Sequence, residues 1–168
     1  IRSIVTAILR PCPQIQDIDP LAKTTMAATF RLQRHLATFR RRLRSLDIPV
    51  TDAGRWGLGS VDLHFDQSTH PGVAFITLNQ PSKRNAVTAA MMLDLAGHVT
   101  ELHERCRDDS GSDAVRAVVL RGAGSHFCAG ADFSLARALR TAEQGVEMFD
   151  LMTSTLDGLY DLPCITVA

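Results

Sequence analysis

The sequence carries no net charge, no apolar run long enough to span a membrane, and no C-x-x-C pair among its four cysteines. Each absence removes a class of function. Without a membrane-length run, no membrane passage is expected. Scattered cysteines (Cys12, Cys106, Cys128, Cys164) argue against a zinc ribbon or a disulfide scaffold and for a reducing compartment. No G-x-x-x-x-G-K-[ST] occurs, so a nucleotide P-loop is unsupported. No aromatic stacking pattern accompanies the arginines of residues 26–46, and no basic body supports them, which disfavours nucleic acid as a partner.

The zero charge hides an asymmetry. Residues 1–50 hold nine Lys+Arg against three Asp+Glu, +6, and residues 51–168 hold nine against fifteen, −6. The leader and the body are therefore chemically different objects. Residues 1–46 are expected to form a basic leader, disordered or helical. From Met26, a plausible start, six arginines accompany Leu32, Leu36, Phe39, Leu43 and Leu46 at helical spacing. That pattern fits a mitochondrial transit segment or, equally, a basic surface helix. Residues 47–59, with Pro49 and three glycines, are expected as a linker, and 60–168 as the folded body.

The chain begins with Ile1 and stops in what reads as a strand after Pro163, so an incomplete chain is expected. In the body, Val61, Leu63 and Phe65 alternate with polar residues and pair with 73–78 as a hairpin. Thr88 caps a helix to about Arg107, with Met91, Leu95, Val99 and Leu102 on its apolar face. A second helix over about 142–160 is expected to turn Val146, Phe149, Met152, Leu156 and Leu159 inward. Alternating strands and helices make the class α/β.

The chemistry concentrates in 114–133, AVRAVVLRGAGSHFCAGADF. The run 117–120 reads as a strand covered on both faces. A loop with Gly122, Gly124 and Gly130 follows, where a backbone can approach a ligand closely. A helix then opens, and its unpaired N–H groups would stabilise an oxygen that gains negative charge. The dinucleotide fingerprint fails at Phe127, where a glycine is needed. No metal site is expected: His98 and His103 are five apart, off one helical face, and His126 and Cys128 lack two further ligands. The histidines are expected at the surface. Cys128 is expected to pack rather than attack, His126 being poorly placed as its base.

The segments ITLNQPSKRNAVTAAMM (76–92), AVRAVVLRGAGSHFCAGADF (114–133) and LPCITVA (162–168) together resemble the crotonase, or enoyl-CoA hydratase/isomerase, superfamily. The resemblance implies a crotonase-like (ClpP/crotonase) β-β-α spiral, incomplete at its C-terminus, usually assembled as homotrimers or hexamers. It implies an acyl-CoA substrate, coenzyme A as part of that substrate, and no permanently bound cofactor. Ala131 would give one of two backbone N–H donors to the thioester oxygen. Ala129 and Gly130 would face the coenzyme, and Asp132 would order the loop or cap the helix. Lys83 and Arg84 would lie near the phosphates, or else form an ordinary solvated pair.

Residues 86–95 and 143–168 look most like the ethylmalonyl-CoA decarboxylase branch, a carbon–carbon lyase, whereas Cys128, Ala129 and Ala131 look like the general family. Enoyl-CoA hydratase is the alternative enzyme. An inactive fragment or an RNA-binding crotonase homologue is a further alternative, and the acidic residues of 88–107 disfavour the latter. The second donor, the catalytic acids and most of the acyl pocket are expected beyond Ala168, so the 168 residues alone should bind acyl-CoA poorly and turn nothing over. The leader suggests the mitochondrial matrix, and the decarboxylase branch the cytosol.

Overall fold

The computed structural model describes residues 30–41, 57–107 and 114–168. Four strands form one sheet in sequence order: β1 (Ser60–Asp66), β2 (Val73–Asn79), β3 (Ala117–Gly122) and β4 (Ile165–Val167). β1 and β2 are the expected antiparallel hairpin, with Val61 opposite Leu78 and Leu63 opposite Ile76. The Asp66 carboxylate shapes its turn by accepting from the Ser68 and Thr69 amides and pairing with the His70 ring. β3 joins β2 in parallel, Ala74 beside Val118 and Ile76 beside Leu120, and β4 joins β3 in parallel. Parallel neighbours need long crossovers. Helix α1 (Ala89–Arg105) bridges β2 to β3, and α2 (Phe133–Ala138) with α3 (Ala142–Tyr160) bridges β3 to β4.

The core lies between the helices and one face of the sheet. Ala74, Ile76 and Leu78 of β2, with Val118 and Leu120 of β3, meet Met91, Leu95, Val99 and Leu102 of α1, all buried as the helical spacing predicts. Thr88 caps α1, its Oγ1 accepting from the Met91 amide and donating to the Leu58 carbonyl. One turn apart on α1, Asp94 and His98 reach the edge strand: the Val61 amide donates to Asp94 and the Val61 carbonyl meets His98 Nε2 at 2.8 Å. The backbone groups of Val61 on the open side of β1 are thereby satisfied.

The structure corrects three expectations. β3 is not covered on both faces: Val118 and Leu120 are buried, while Ala117 and Val119 are only half-buried. On the second sheet face Arg121 lies over the Phe75 ring instead, while on the core face Arg105, at the end of α1, lies over Phe65. The inward stripe of α3 is met in its second half, where Met152, Leu156 and Leu159 reach the core, and fails in its first. Leu151, Ser154, Thr155, Gly158 and Leu159 are buried, whereas Val146 and Phe149 are 57% and 64% exposed. Small residues let α1 come close here, and Thr155 Oγ1 satisfies itself on the Leu151 carbonyl at 2.7 Å, so polarity does not keep this stripe in water. Finally, His103 is not at the surface. It is fully buried, its Nε2 donating to the Gly158 carbonyl at 2.8 Å.

Residues 30–41 are helical, and Leu32 and Phe39 bury completely in the same core, with Leu36 packed against it. Leu43 and Leu46 lie outside the described residues, as does the rest of the leader and most of the expected linker. Cys106 at the end of α1 donates its thiol to Cys164 beside β4 at 3.2 Å. That hydrogen bond, then burial, pushes the Cys164 thiol well up, so it stays protonated. No helix among the described residues is long and apolar enough to cross a membrane.

Candidate active site

The site is built where β3 runs into α2. After Gly122 the chain turns back on itself, and this glycine is required by packing. A Cβ there would stand 2.2 Å from the His126 carbonyl oxygen, 2.4 Å from that of Phe127 and 2.6 Å from Asn85 Nδ2. The glycine expected to admit a ligand therefore admits the loop's own backbone. Gly130 differs: its φ is +109°, a region L side chains rarely adopt, with open space where a Cβ would point.

Two loops run side by side here. The Ala129 amide donates to the Arg84 carbonyl, the Val87 amide to Gly130, and the Asp132 amide to Val87. The last two form a short parallel bridge between Val87 and Ala131. Parallel pairing uses the neighbours of Ala131 and leaves its own N–H and C=O on the other side. Among the described residues nothing accepts the Ala131 N–H. Ala131 is exposed, in the wall of an open cleft of about 390 Å³ lined by Lys83, Ala86, Ala129, Asp132, Phe133, Ser134 and Arg137 as well.

Asp132 caps α2, one carboxylate oxygen accepting from the Ser134 amide at 2.7 Å and the other from Lys83 Nζ at 2.9 Å. Bonds from Ser134 lead, with the Lys83 ammonium adding to them, and together they hold this buried carboxyl down at about 2 against the opposing effect of burial. Asp132 is thus an acceptor locked into structure, unsuited to giving or taking a proton near neutrality.

Four of the six residues expected at the site, Lys83, Ala129, Ala131 and Asp132, line this one cleft, and Gly130 lies in the same loop. Arg84 does not line it; its φ is +53° and its carbonyl serves the Ala129 amide. Lys83 is tied to Asp132, while Arg137 has no partner among the described residues. Cys128 Sγ accepts from the Gly130 amide at 3.3 Å and packs on the core, as a structural thiol does. No group of three metal-ligating side chains occurs among the described residues.

An open amide beside a capped helix, on a loop after a parallel strand, suits an oxygen that becomes anionic. The model of the enoyl-CoA hydratase/isomerase family matches residues 68–168, more than half of the chain. The chain belongs to the enoyl-CoA hydratase/isomerase family. Among curated relatives of this family member, ethylmalonyl-CoA decarboxylase of Gallus gallus is 36% identical over 110 residues, covering 66% of this chain and 34% of that protein. The Mus musculus ethylmalonyl-CoA decarboxylase is 38% identical over 110 residues, covering 66% and 31%. The chain thus spans about a third of the length of the curated relatives it matches. Of solved structures, an enoyl-CoA hydratase from Bacillus anthracis superposes with a TM-score of 0.52 at 27% identity, over 64% of this chain and 38% of that one. The family fold is therefore the crotonase fold expected from sequence.

Asn85 and Arg137 escape sequence reasoning in this family member. Nothing local marks Arg137, which reaches the cleft only because α2 folds back beside the 81–86 loop. Asn85 carries a faint signal: a carboxamide between a charged pair and a helix cap, where two successive residues adopt φ of +53° and +56°.

Proposed function

We propose that the protein carrying this chain acts on acyl-CoA thioesters by holding an enolate oxygen on the Ala131 N–H, and that its reaction is decarboxylation of an ethylmalonyl- or methylmalonyl-type thioester. The observation that carries this reading is the open Ala131 amide in the cleft wall. The decarboxylase relatives support the choice of reaction. In that reaction the bond from the α-carbon to the carboxylate carbon breaks and CO₂ leaves. Its electron pair passes through the α-carbon to the thioester oxygen, which becomes anionic, and a proton then returns to the α-carbon. A fixed N–H strengthens its bond as charge develops, so it binds the transition state better than the substrate.

Coenzyme A would serve as the substrate's handle, with Ala129 and Gly130 beside it. Lys83 could meet a phosphate only by sharing its ammonium with Asp132, whereas Arg137 offers an unshared guanidinium. The second donor and the proton-delivering group would come from outside these residues, so the 168 residues alone should show no turnover. Enoyl-CoA hydration is the second reading, favoured by the structural likeness to the Bacillus anthracis hydratase.

The natural protein carrying this chain is offered ethylmalonyl-CoA and crotonyl-CoA, and products are followed by mass spectrometry. Butyryl-CoA is expected; 3-hydroxybutyryl-CoA as the main product would favour hydration. Ala131→Pro deletes the proposed donor while removing none of the chain's own hydrogen bonds among the described residues. Its kcat is expected to fall about 100-fold or more, with the fold intact by circular dichroism. Unchanged turnover would end the oxyanion reading.

A further inference from the structure

The carboxamide of Asn85 is fully buried and fully used. Its Oδ1 accepts from the Gln80 amide at 2.9 Å, and its Nδ2 donates to the Ala123 carbonyl at 2.9 Å and the His126 carbonyl at 2.7 Å. Those two carbonyls stand at the two ends of the turn that leads from β3 toward Ala131. From Ser125 to Cys128, among the described residues, no other hydrogen bond ties this loop to the rest of the chain. The contacts resume only at Ala129, whose amide meets the Arg84 carbonyl. Asn85 itself holds φ of +56°, which its short carboxamide side chain tolerates better than most side chains do. A left-handed backbone and a complete set of bonds converge on one loop residue, packed against Gly122 at the end of β3.

We infer that Asn85 is the positioning residue of the oxyanion loop: its carboxamide clasps the 123–126 turn and so aims the Ala131 N–H into the cleft. The inference rests on the reading of Ala131 as a donor. Asn85 does not reach the cleft itself, because it is buried and does not line it. Its effect must pass through the loop. The neighbouring Lys83–Asp132 pair holds the far end of the same loop, at the start of α2. Between them, the stretch from Ala123 to Asp132 is pinned at both ends, and the open amide lies near the second pin.

The test compares two variants in the natural protein carrying this chain. Asn85→Gly deletes the carboxamide and accepts the positive φ. Asn85→Asp keeps the acceptor for Gln80 but presents oxygens to two carbonyls, and it serves where the glycine variant does not fold. Hydrogen exchange of the amides in 123–131 is expected to rise roughly tenfold, with β1–β3 unchanged. Turnover should fall about 100-fold in kcat with KM held within a few-fold, since a donor moved by an ångström is felt mainly in the transition state. Affinity for free coenzyme A should not change. Unaltered exchange in 123–131, or a loosened loop with normal kcat, overturns the assignment. Ala131→Pro measured alongside separates the two claims. If it is impaired and the Asn85 variants are not, only the clasp falls. If it is not impaired, the donor reading falls and the clasp's role goes with it.

Discussion

His103 sits fully buried in the seam between α1 and α3, giving its Nε2 proton to the Gly158 carbonyl and leaving Nδ1 without a partner among the described residues. A proton added at Nδ1 would be a charge in an apolar seam. Burial first, then the charge of Arg107, pushes this imidazole below its ordinary 6.5, although the Gly158 carbonyl pulls the other way. The unfolded chain therefore binds a proton that the folded one refuses. The stability this contributes is full above 6.5 and is lost as pH falls from 6.5 toward the lower folded value. Urea midpoints should decline over that window, and His103→Gln, which can still donate to Gly158, should flatten the part of the decline due to this ring. Equal slopes for both proteins would mean the ring titrates normally. Sequence could not place this residue, since a histidine in the last turn of an amphipathic helix reads as surface until the partner helix is known.

At the scale of elements, strand and helix periods carry most of the information. The alternation in β1 and the spacing in α1 predict the buried residues, because those elements present a simple apolar face to one core. α3 defeats the same reasoning in its first half. Of its expected inward stripe, Val146 and Phe149 stay exposed while Met152, Leu156 and Leu159 meet the core, and the buried positions also include Thr155 and Gly158. Helix approach is governed by side-chain volume there, which hydropathy does not measure. A Cβ at Gly158 would stand 2.9 Å from Val99 Cγ1, a branched side chain that is itself buried. Gly158→Ala is therefore expected to destabilise: overpacking costs about 1–3 kcal/mol, against a helix-propensity gain of up to about 1 kcal/mol. A denaturation midpoint that rises instead would show the seam is looser than the distances state.

Across the whole molecule, the basic segment at 30–41 shares the core of the body. Leu32 is fully buried and reaches the Gly158 backbone region, and Phe39 is buried as well. A removable leader would leave these positions open, so Leu32→Ala tests whether the segment belongs to the folded protein. Truncating a buried leucine costs about 2–5 kcal/mol where the site cannot collapse. The expected result is a lower urea midpoint together with faster proteolysis within 30–41. No change in either would return the segment to the role of a detachable leader.

The chain's own letters settle the strand–helix order, the hairpin, the cap of α1 and the loop that offers an amide, because each follows from local period or local backbone chemistry. They also suffice for the family, whose signature lies along 68–168. Tertiary structure alone decides that Asp132 is tied up by Lys83, that Arg137 enters the cleft, that Asn85 holds the turn and that His103 is buried. Each of these depends on residues distant in sequence meeting across the fold, and a one-dimensional pattern does not contain that distance.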